Sequence, residues 1–308
     1  MPQVVINSIS NAQKVFREYT LIVQRVDDNG IPINDYITIS SPITAHFTVN
    51  RSLFAEANTL DIELFNLSPN TYKELFFDYF NRKFRKVALM AGYQSTGLNL
   101  IFYGDMWSCY TSREGTETIT KIHCIVGLDS MQQQSDITLA GASRYMVLSR
   151  VAQDMGLDLK IYSGENTKFN RPQAITGNSM AIAQKYSGNN AFIDGKDLLV
   201  LDNVDAIKGE VPLINDQSGL LGVPKHEDAI LSVDIIFEPR IVIGQIIEVN
   251  SRIHPMFNGQ YKVYGIRHEG VISGAESGKV VTTLEMLVGS QIYGRFGVVT
   301  LKHQEKSS

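Results

Sequence analysis

From position 58 the chain reads Asn-Thr-Leu-Asp-Ile-Glu-Leu-Phe-Asn, so that Leu60, Ile62 and Leu64 alternate with Asp61 and Glu63. A period of two suits an extended strand, because successive side chains point to opposite faces; a helix would scatter the same residues around its axis. The pattern recurs. Within 117–126, Ile122, Cys124 and Val126 oppose Lys121 and His123. Within 243–250, Ile243, Ile247 and Val249 share a face. Within 279–288, Val280, Leu284, Met286 and Val288 oppose Lys279, Val281, Thr283 and Glu285. Further runs at 19–26, 37–49, 86–91, 99–107, 230–237 and 261–268 are rich in β-branched and aromatic residues, as strands are. The chain is therefore mainly β. Its evenly spaced antiparallel strands suit a barrel or sandwich, with one face of each strand in a core and the other toward water.

Helical signals interrupt this pattern in two places. Ser68 is a good N-cap and Pro69 suits the first helical position. Tyr72, Leu75, Phe76 and Tyr79 follow at helical spacing, which predicts a helix ending near Asn81. Residues 141–156 carry an apolar stripe of Tyr145, Leu148, Val151, Ala152 and Met155, closed by Gly156. A second short helix is expected over 179–186, capped by Asn178. Asp194-Gly195 between apolar runs then marks a hairpin. Residues 219–224 read as a linker, and 302–308 as a loose polar tail. The expected organisation is a first β part at 1–127, a small α/β unit at 128–225 and a second β part at 226–308.

At 308 residues the chain exceeds the size at which single cores stop growing, about 250–300 residues. Its net charge is −4 and charged residues make up 19%. No large basic block supports nucleic-acid binding. The nearest approach, Arg82-Lys83-Phe84-Arg85-Lys86, reads as a solvated helix end whose cations oppose the helix dipole. Two cysteines, Cys109 and Cys124, are too few for a disulfide scaffold; they flank an expected turn at Glu114-Gly115 and read as free thiols. The start of the chain lacks signal-peptide character and the apolar runs are too short to span a bilayer, so a cytosolic, non-membrane chain is expected.

The motifs that carry chemistry are missing. The sequence holds no phosphate-binding loop, dinucleotide fingerprint, nucleophile elbow, Cys-x-x-Cys pair or His-Glu-x-x-His. Asp61 and Glu63 read as the wet edge of a strand rather than a glycosidase pair. His123-Cys124 and His268-Glu269 are strand neighbours that point to opposite faces, which argues against shared metal ligation. Trp107, beside Tyr103 and Tyr110, could stack a sugar; a packed core or subunit interface is the commoner use of such a strand. No catalytic, cofactor-binding or metal residue is assigned, no cofactor is expected, and the chain is read as a non-enzyme.

Several phrases together resemble a known family. Leu60-Asp-Ile-Glu-Leu-Phe-Asn-Leu-Ser68 is followed by Val87-Ala-Leu-Met-Ala-Gly-Tyr93, then Leu100-Ile-Phe-Tyr-Gly-Asp105 and the hairpin from Arg113. The last third carries Leu220-Leu-Gly-Val-Pro224, Phe237-Glu-Pro-Arg240, the run from Gly244 to Ser251, Asn258-Gly-Gln-Tyr-Lys-Val263 and Ile266-Arg-His-Glu-Gly270. In this order, over roughly 15–295, they resemble the baseplate hub proteins of contractile-tailed bacteriophages. The resemblance implies two tube-like antiparallel β-barrels flanking a small helix-containing middle domain. It also implies a homotrimeric ring that adapts a hexameric tail tube to a trimeric central spike. Tail tube, spike, tape measure and other baseplate proteins would be partners, in a virion assembled in the host cytoplasm. The alternatives are a siphophage-type tail-tip hub and, from another class, a carbohydrate-binding or cell-wall hydrolase module centred on Trp107. A lumen carrying part of the negative charge would repel DNA phosphates.

Overall fold

The structure is a computed structural model. It describes residues 5–7, 14–53, 57–76, 83–139, 141, 143–171, 173–207, 209–227, 229–274 and 278–287. The first part contains β1 (Val5–Asn7), β2 (Arg17–Val26), β3 (Pro32–Ser40), β4 (Ala45–Ser52), β5 (Thr59–Phe65), α1 (Pro69–Leu75), β6 (Lys86–Tyr93), β7 (Gly97–Glu114) and β8 (Glu117–Ile125). A middle part follows with α2 (Leu128–Met131), β9 (Gln134–Leu139), α3 (Arg144–Asp154), β10 (Asp158–Ile161), β11 (Gln173–Asn178), α4 (Ser179–Ser187), β12 (Ala191–Asp194) and β13 (Asp197–Val200). The last part contains β14 (Val211–Ile214), β15 (Leu220–Glu227), β16 (Ile230–Ile236), β17 (Ile246–Val249), β18 (Gly259–Ile272) and β19 (Val280–Leu287). The protein is thus mainly β with antiparallel sheets, as its alternation implies.

One 14-stranded sheet joins the two ends of the chain. Its first part is ordered β3-β2-β6-β7-β8-β5-β4, and β4 then pairs with β18 across eight residue pairs, from Gly265↔Ser52 to Ile272↔Ala45. Strand β18 also pairs with β19 and β17, β19 with β16, and β16 with β15. The first-part order β6-β7-β8-β5-β4 therefore recurs as β17-β18-β19-β16-β15, with the strands in the same chain sequence. The irregularities recur too. Met106 faces Cys124 before the β7–β8 ladder skips Trp107; Val263 faces Met286 before the β18–β19 ladder skips Tyr264. Beyond this five-strand unit the halves differ, because β2 runs antiparallel to β6 whereas β14 runs parallel to β17 and β1 parallel to β14.

Several expected boundaries move. Residues 37–49 form two strands, since Pro42 lacks the N–H that a continuous ladder would need, and the chain turns at 41–44. The expected linker at 219–224 lies mostly in β15: Leu220 is buried, the Ile236 N–H bonds Gly219 O, and Gly222 and Pro224 fall where the ladder breaks register between Leu221 and Lys225. Turn-forming residues there mark an irregularity in an edge strand rather than a connection. Strand β14, within 128–225, and β15, which crosses residue 225, pair with β17 and β16, and β1 reaches from the start of the chain to β14.

Helix α1 starts as expected, with Ser68 Oγ accepting from the Thr71 N–H, but stops at Leu75. Tyr79 and Asn81 lie outside the described residues, as do Arg82, Val288 and 302–308. Arg85 is 1% exposed rather than solvated. Its Nε donates to Gln24 O at 2.6 Å and its Nη1 to Leu75 O at 3.2 Å, so a buried cation does meet the carbonyl end of α1. In α3, Ser143 caps at the Met146 N–H; Val147, Leu148, Val151 and Ala152 are buried while Tyr145 faces solvent. Asn178 caps α4, and Gly195 turns the β12–β13 hairpin.

Among the described residues, the apolar interior has two clusters. One combines the first part with the middle helices and hairpin, through residues such as Leu60, Ile122, Leu148 and Leu198. The other lies in the last part around Leu231, Val249, Val263 and Leu284.

Candidate functional site: a solvated face across both halves

Eight strands form one antiparallel ladder in the order β7-β8-β5-β4-β18-β19-β16-β15. Strand alternation gives this ladder two unlike faces. On the inner face, Val49, Leu60, Ile62, Ile122, Cys124, Ile266, Leu284 and Leu231 are buried. On the other face, polar side chains stand in rows. His123 Nδ1 meets Asp61 Oδ1 at 2.6 Å, Lys121 Nζ meets Glu63 Oε1 at 2.7 Å, and His46 lies 3.9 Å from Glu63. Arg267 pairs with Glu269 at 2.7 Å, and Thr283 donates to Asp234 at 2.7 Å.

Charge on this face is one-sided. By register, the β5 and β8 strands and the β7 tip contribute Asp61, Glu63, Glu114 and Glu117. The last part contributes Glu227, Asp234, Glu269 and Glu285. Eight carboxylates thus share the face with four cations, Lys121, Lys225, Arg267 and, just before β19, Lys279. That excess of four equals the −4 of the whole chain, so the charges elsewhere balance. An acidic, hydrogen-bonded surface of this kind repels polyanions and offers them no cluster of cations.

Buried polar groups fix the ladder in place. At the β4–β18 joint, His268 is fully buried between Val49 and Thr282; its Nδ1 lies 2.8 Å from Thr282 Oγ1, and the Phe237 ring stands edge-on at 5.4 Å. Burial, with Arg51 nearby, brings this imidazole down to about 3. Arg51 of β4 grips Asp194 of β12 through two bonds of 3.1 and 2.6 Å. Asn58 accepts from the Ser52 N–H and donates to Ile193 O. The middle part is thus bolted behind the joint. Tyr93 donates to Phe237 O at 2.7 Å, and Lys14 reaches Glu238 at 3.4 Å and Ser218 O at 2.9 Å, which ties the first part to the last.

The residues singled out in sequence do not converge. Cys109 faces Ile122 and Cys124 faces Met106, so the thiols are not opposite one another. Burial pushes Cys109 up to about 11 and Cys124 well above its ordinary value, which keeps both as protonated thiols. Trp107 is exposed, with Phe84 stacked at 6.4 Å, and sits at the bulge of β7. His268 is buried and Glu269 exposed, on opposite faces as expected. Among the described residues, no three His, Cys, Asp or Glu side chains stand together for a metal. No described helix is long and apolar enough to cross a membrane. The sequence pattern showed each alternating strand but not the joint that makes one face of eight; β4 and β18 lie over 200 residues apart and no local signal links them.

Among the described residues, the two ends of the ladder have no further strand. Strand β7 pairs with β6 only as far as Asp105, and among the described pairings its edge from Ser108 to Glu114 has no second strand. Strand β15 likewise pairs only with β16.

A family profile described as baseplate hub gp41 matches residues 22–272. Solved structures show a similar fold at very low identity. A 43 kDa tail protein of prophage MuSo2 from Shewanella oneidensis is 7% identical with a TM-score of 0.56, covering 88% of this chain and 97% of the other. A tail protein from Neisseria meningitidis MC58 is 8% identical with a TM-score of 0.59, covering 89% and 98%. The E. coli c3393 protein is a type VI secretion component described as similar to the T4 tail proteins gp27 and gp5. It is 10% identical with a TM-score of 0.53, covering 82% and 75%. No curated protein matches the chain.

Proposed function

The chain belongs to the baseplate hub gp41 family, and from that premise we propose that it is a non-enzymatic structural hub of a phage tail. Three copies form a ring that adapts a hexameric tail tube to a trimeric central spike, within the virion baseplate. Each copy supplies two tube-like barrels, one drawn from the strands up to residue 127 and one from β14 onward with β1. The helical unit that begins at residue 128 sits off the ring. Two barrels in each of three copies present six similar units to the tube and three identical ones to the spike.

The observation that carries this reading is the repeated five-strand unit joined into one ladder with a single acidic face. A ring lined by that face gives a passage that DNA traverses without sticking. Tape measure and other baseplate proteins are the remaining expected partners. The fold likeness to tail proteins supports the class, and one of the similar structures is a Francisella PdpA–VgrG complex (8% identical, TM-score 0.56, covering 90% of this chain and 53% of that one).

The test is the mass of the purified full chain by light scattering, alone and with its spike protein. A trimer, or a monomer that becomes trimeric on adding the spike, is expected. A monomer under both conditions contradicts the reading, and one that clears cell-wall substrate would replace it with the hydrolase alternative.

A further inference from the structure

We infer that Phe16 in one half, and Ile253 with Met256 in the other, are apolar knobs that seat the ring on the end of the tail tube. The inference rests on the ring reading above and adds the rim and the side chains that make that contact.

Phe16, Ile253 and Met256 are three of the four most exposed large apolar side chains among the described residues, at 75, 61 and 77%. All three are held in place. Phe16 has a φ of 52°, in the left-handed region that a bulky side chain enters only at a steric cost. The other described non-glycine residues with positive φ, Asn66 and Asn189, are of a type that tolerates it. Both flanks hold the conformation. Lys14 is tied to Ser218 O and Glu238 in the last part, the Gln94 N–H donates to Phe16 O at 2.9 Å, and Arg17 starts β2 opposite Tyr93. Packing within the chain does not offset the strain, because the ring stays in water. A strained residue with no use inside its own chain points to a use outside it.

The loop bearing Ile253 and Met256 is fixed as well. The Ser251 N–H donates to Asn258 Oδ1 at 2.6 Å, the His254 N–H to Ser251 Oγ at 3.2 Å, and Tyr261 Oη to Phe257 O at 2.8 Å. Exposed apolar groups that are already ordered make good binding anchors, since little conformational entropy is left to lose.

The two sites are equivalent in the fold. Met106, Trp107 and Ser108 of β7 match Val263, Tyr264 and Gly265 of β18, so Asp105 matches Lys262; Leu60 opposite Cys124 matches Leu231 opposite Met286. The β6–β7 turn at 94–96, which holds Phe16, therefore corresponds to the β17–β18 loop at 250–258, which carries Ile253 and Met256. Both adjoin the end of the ladder where β18 finishes and β19 begins. Phe16 borders a cleft of about 710 Å³ there with Pro42, Ile272 and Gly274. The Asn250 N–H donates to Ile214 O and Arg252 pairs with Asp216 at 3.5 Å, beside the turn that starts β15 at the same end. The middle unit is fixed to the opposite end, through Arg51 and Asn58.

Two knobs per chain give a trimer six, at matched positions around one rim. That number fits a hexamer and exceeds what a trimeric spike needs. The charges beside the knobs are of both signs, Arg17 with Glu18 and Arg252 with Asp216, so the recess that receives each knob is apolar. Tube subunits are identical, so one pliable recess takes both a phenyl ring and an Ile–Met pair.

The test uses the full chain with purified tail-tube protein and, separately, with spike protein; light scattering follows the hub trimer. The variants are Phe16→Gly and the double Ile253→Ser with Met256→Ser, with Tyr145→Ser as control. Glycine suits a positive φ, so Phe16→Gly should keep or raise the melting temperature. Each knob variant should weaken association with the tube by about tenfold or more, and the two combined should abolish it. Trimerisation and spike binding should match wild type, and Tyr145→Ser should change nothing. A wild-type trimer with no affinity for the tube, or variant trimers that bind it as wild type does, would overturn the contact and leave the ring standing. Folded variants that lose spike binding or fail to trimerise would also overturn it, because the knobs would then face the spike or a second copy. A wild-type chain that is never trimeric, with or without spike, would overturn the ring and the contact together.

Discussion

The two five-strand units share order, chain direction and the position of a skipped residue, yet they are finished differently. The first is extended by the antiparallel β2 and β3 and shares its core with the middle helices; the second is extended by the parallel β14 and β1 and has a core of its own. Corresponding buried positions also diverge. Asp105 is held by Lys86 at 2.5 Å and by the Asp129 N–H, whereas its counterpart Lys262 donates to the carbonyl of Asp202. At the joint position, His268 of β18 corresponds to Thr111 of β7. The architecture is therefore conserved between halves by apolar alternation and ladder geometry, while the polar inserts are local solutions to whatever each half packs against.

Breaking both halves at matched points should show whether they are one cooperative unit. Leu148→Asp in α3 comes first in size: it buries an unpaired charge in the core shared with the first half, a cost of several kcal/mol, roughly. Little soluble protein is expected, and a soluble mutant that assembles normally would contradict the shared core. Next come Leu60→Ala and Leu231→Ala, matched positions that are both fully buried. Each should cost about 3 kcal/mol in denaturant unfolding. A single shifted transition in both variants is expected from the hydrogen-bonded joint; two separate transitions would show independent halves.

The joint itself should respond to acid. His268 is held neutral when folded, with its value near 3 against about 6.5 in the unfolded chain. Its contribution is complete above pH 6.5 and is lost as pH falls toward 3, because only the unfolded state then takes up the proton. Between pH 6.5 and 5 the loss is on the order of 2 kcal/mol. Urea unfolding across that range should show it, and His268→Gln should flatten the slope.

The contrast between Asp105 and Lys262 gives a smaller effect. Burial brings the Lys262 ammonium down to about 8, so the folded state resists protonation and stability should rise with pH through the window above 8. Lys262→Met should change stability by less than about 1 kcal/mol at pH 7, since an apolar side chain of similar length suits the site. Asp105→Ala should cost more, because it strips both the Lys86 and Asp129 contacts. Equal losses would erase the distinction. Smallest of all, Tyr145→Ser on the solvent side of α3 should stay within about 0.5 kcal/mol by thermal unfolding.

Much of the fold is legible in the sequence where one residue's environment is set by its neighbours. Leu60, Ile62 and Leu64 read as an inward row and are one; Ser68 and Asn178 begin helices as their side chains allow. What stays hidden is set at long range. The linker-like Gly219 to Pro224 becomes an edge strand because β16 lies beside it. Arg85 sits in what looks like a wet basic run but is drawn inside by the carbonyls at the end of α1, while Lys83 stays exposed. The correspondence between halves is also invisible residue by residue, because Cys124 matches Met286 and Asp105 matches Lys262; what recurs is alternation and pairing, which a local reading cannot align. The acidic face is the extreme case, since its eight carboxylates come from seven strands.

An electron-microscopy reconstruction of the intact tail tip tests the central claim most directly. Three copies in a ring are expected, with the face bearing Asp61, Glu63 and Glu269 turned toward the lumen. A ring with that face turned outward would contradict it.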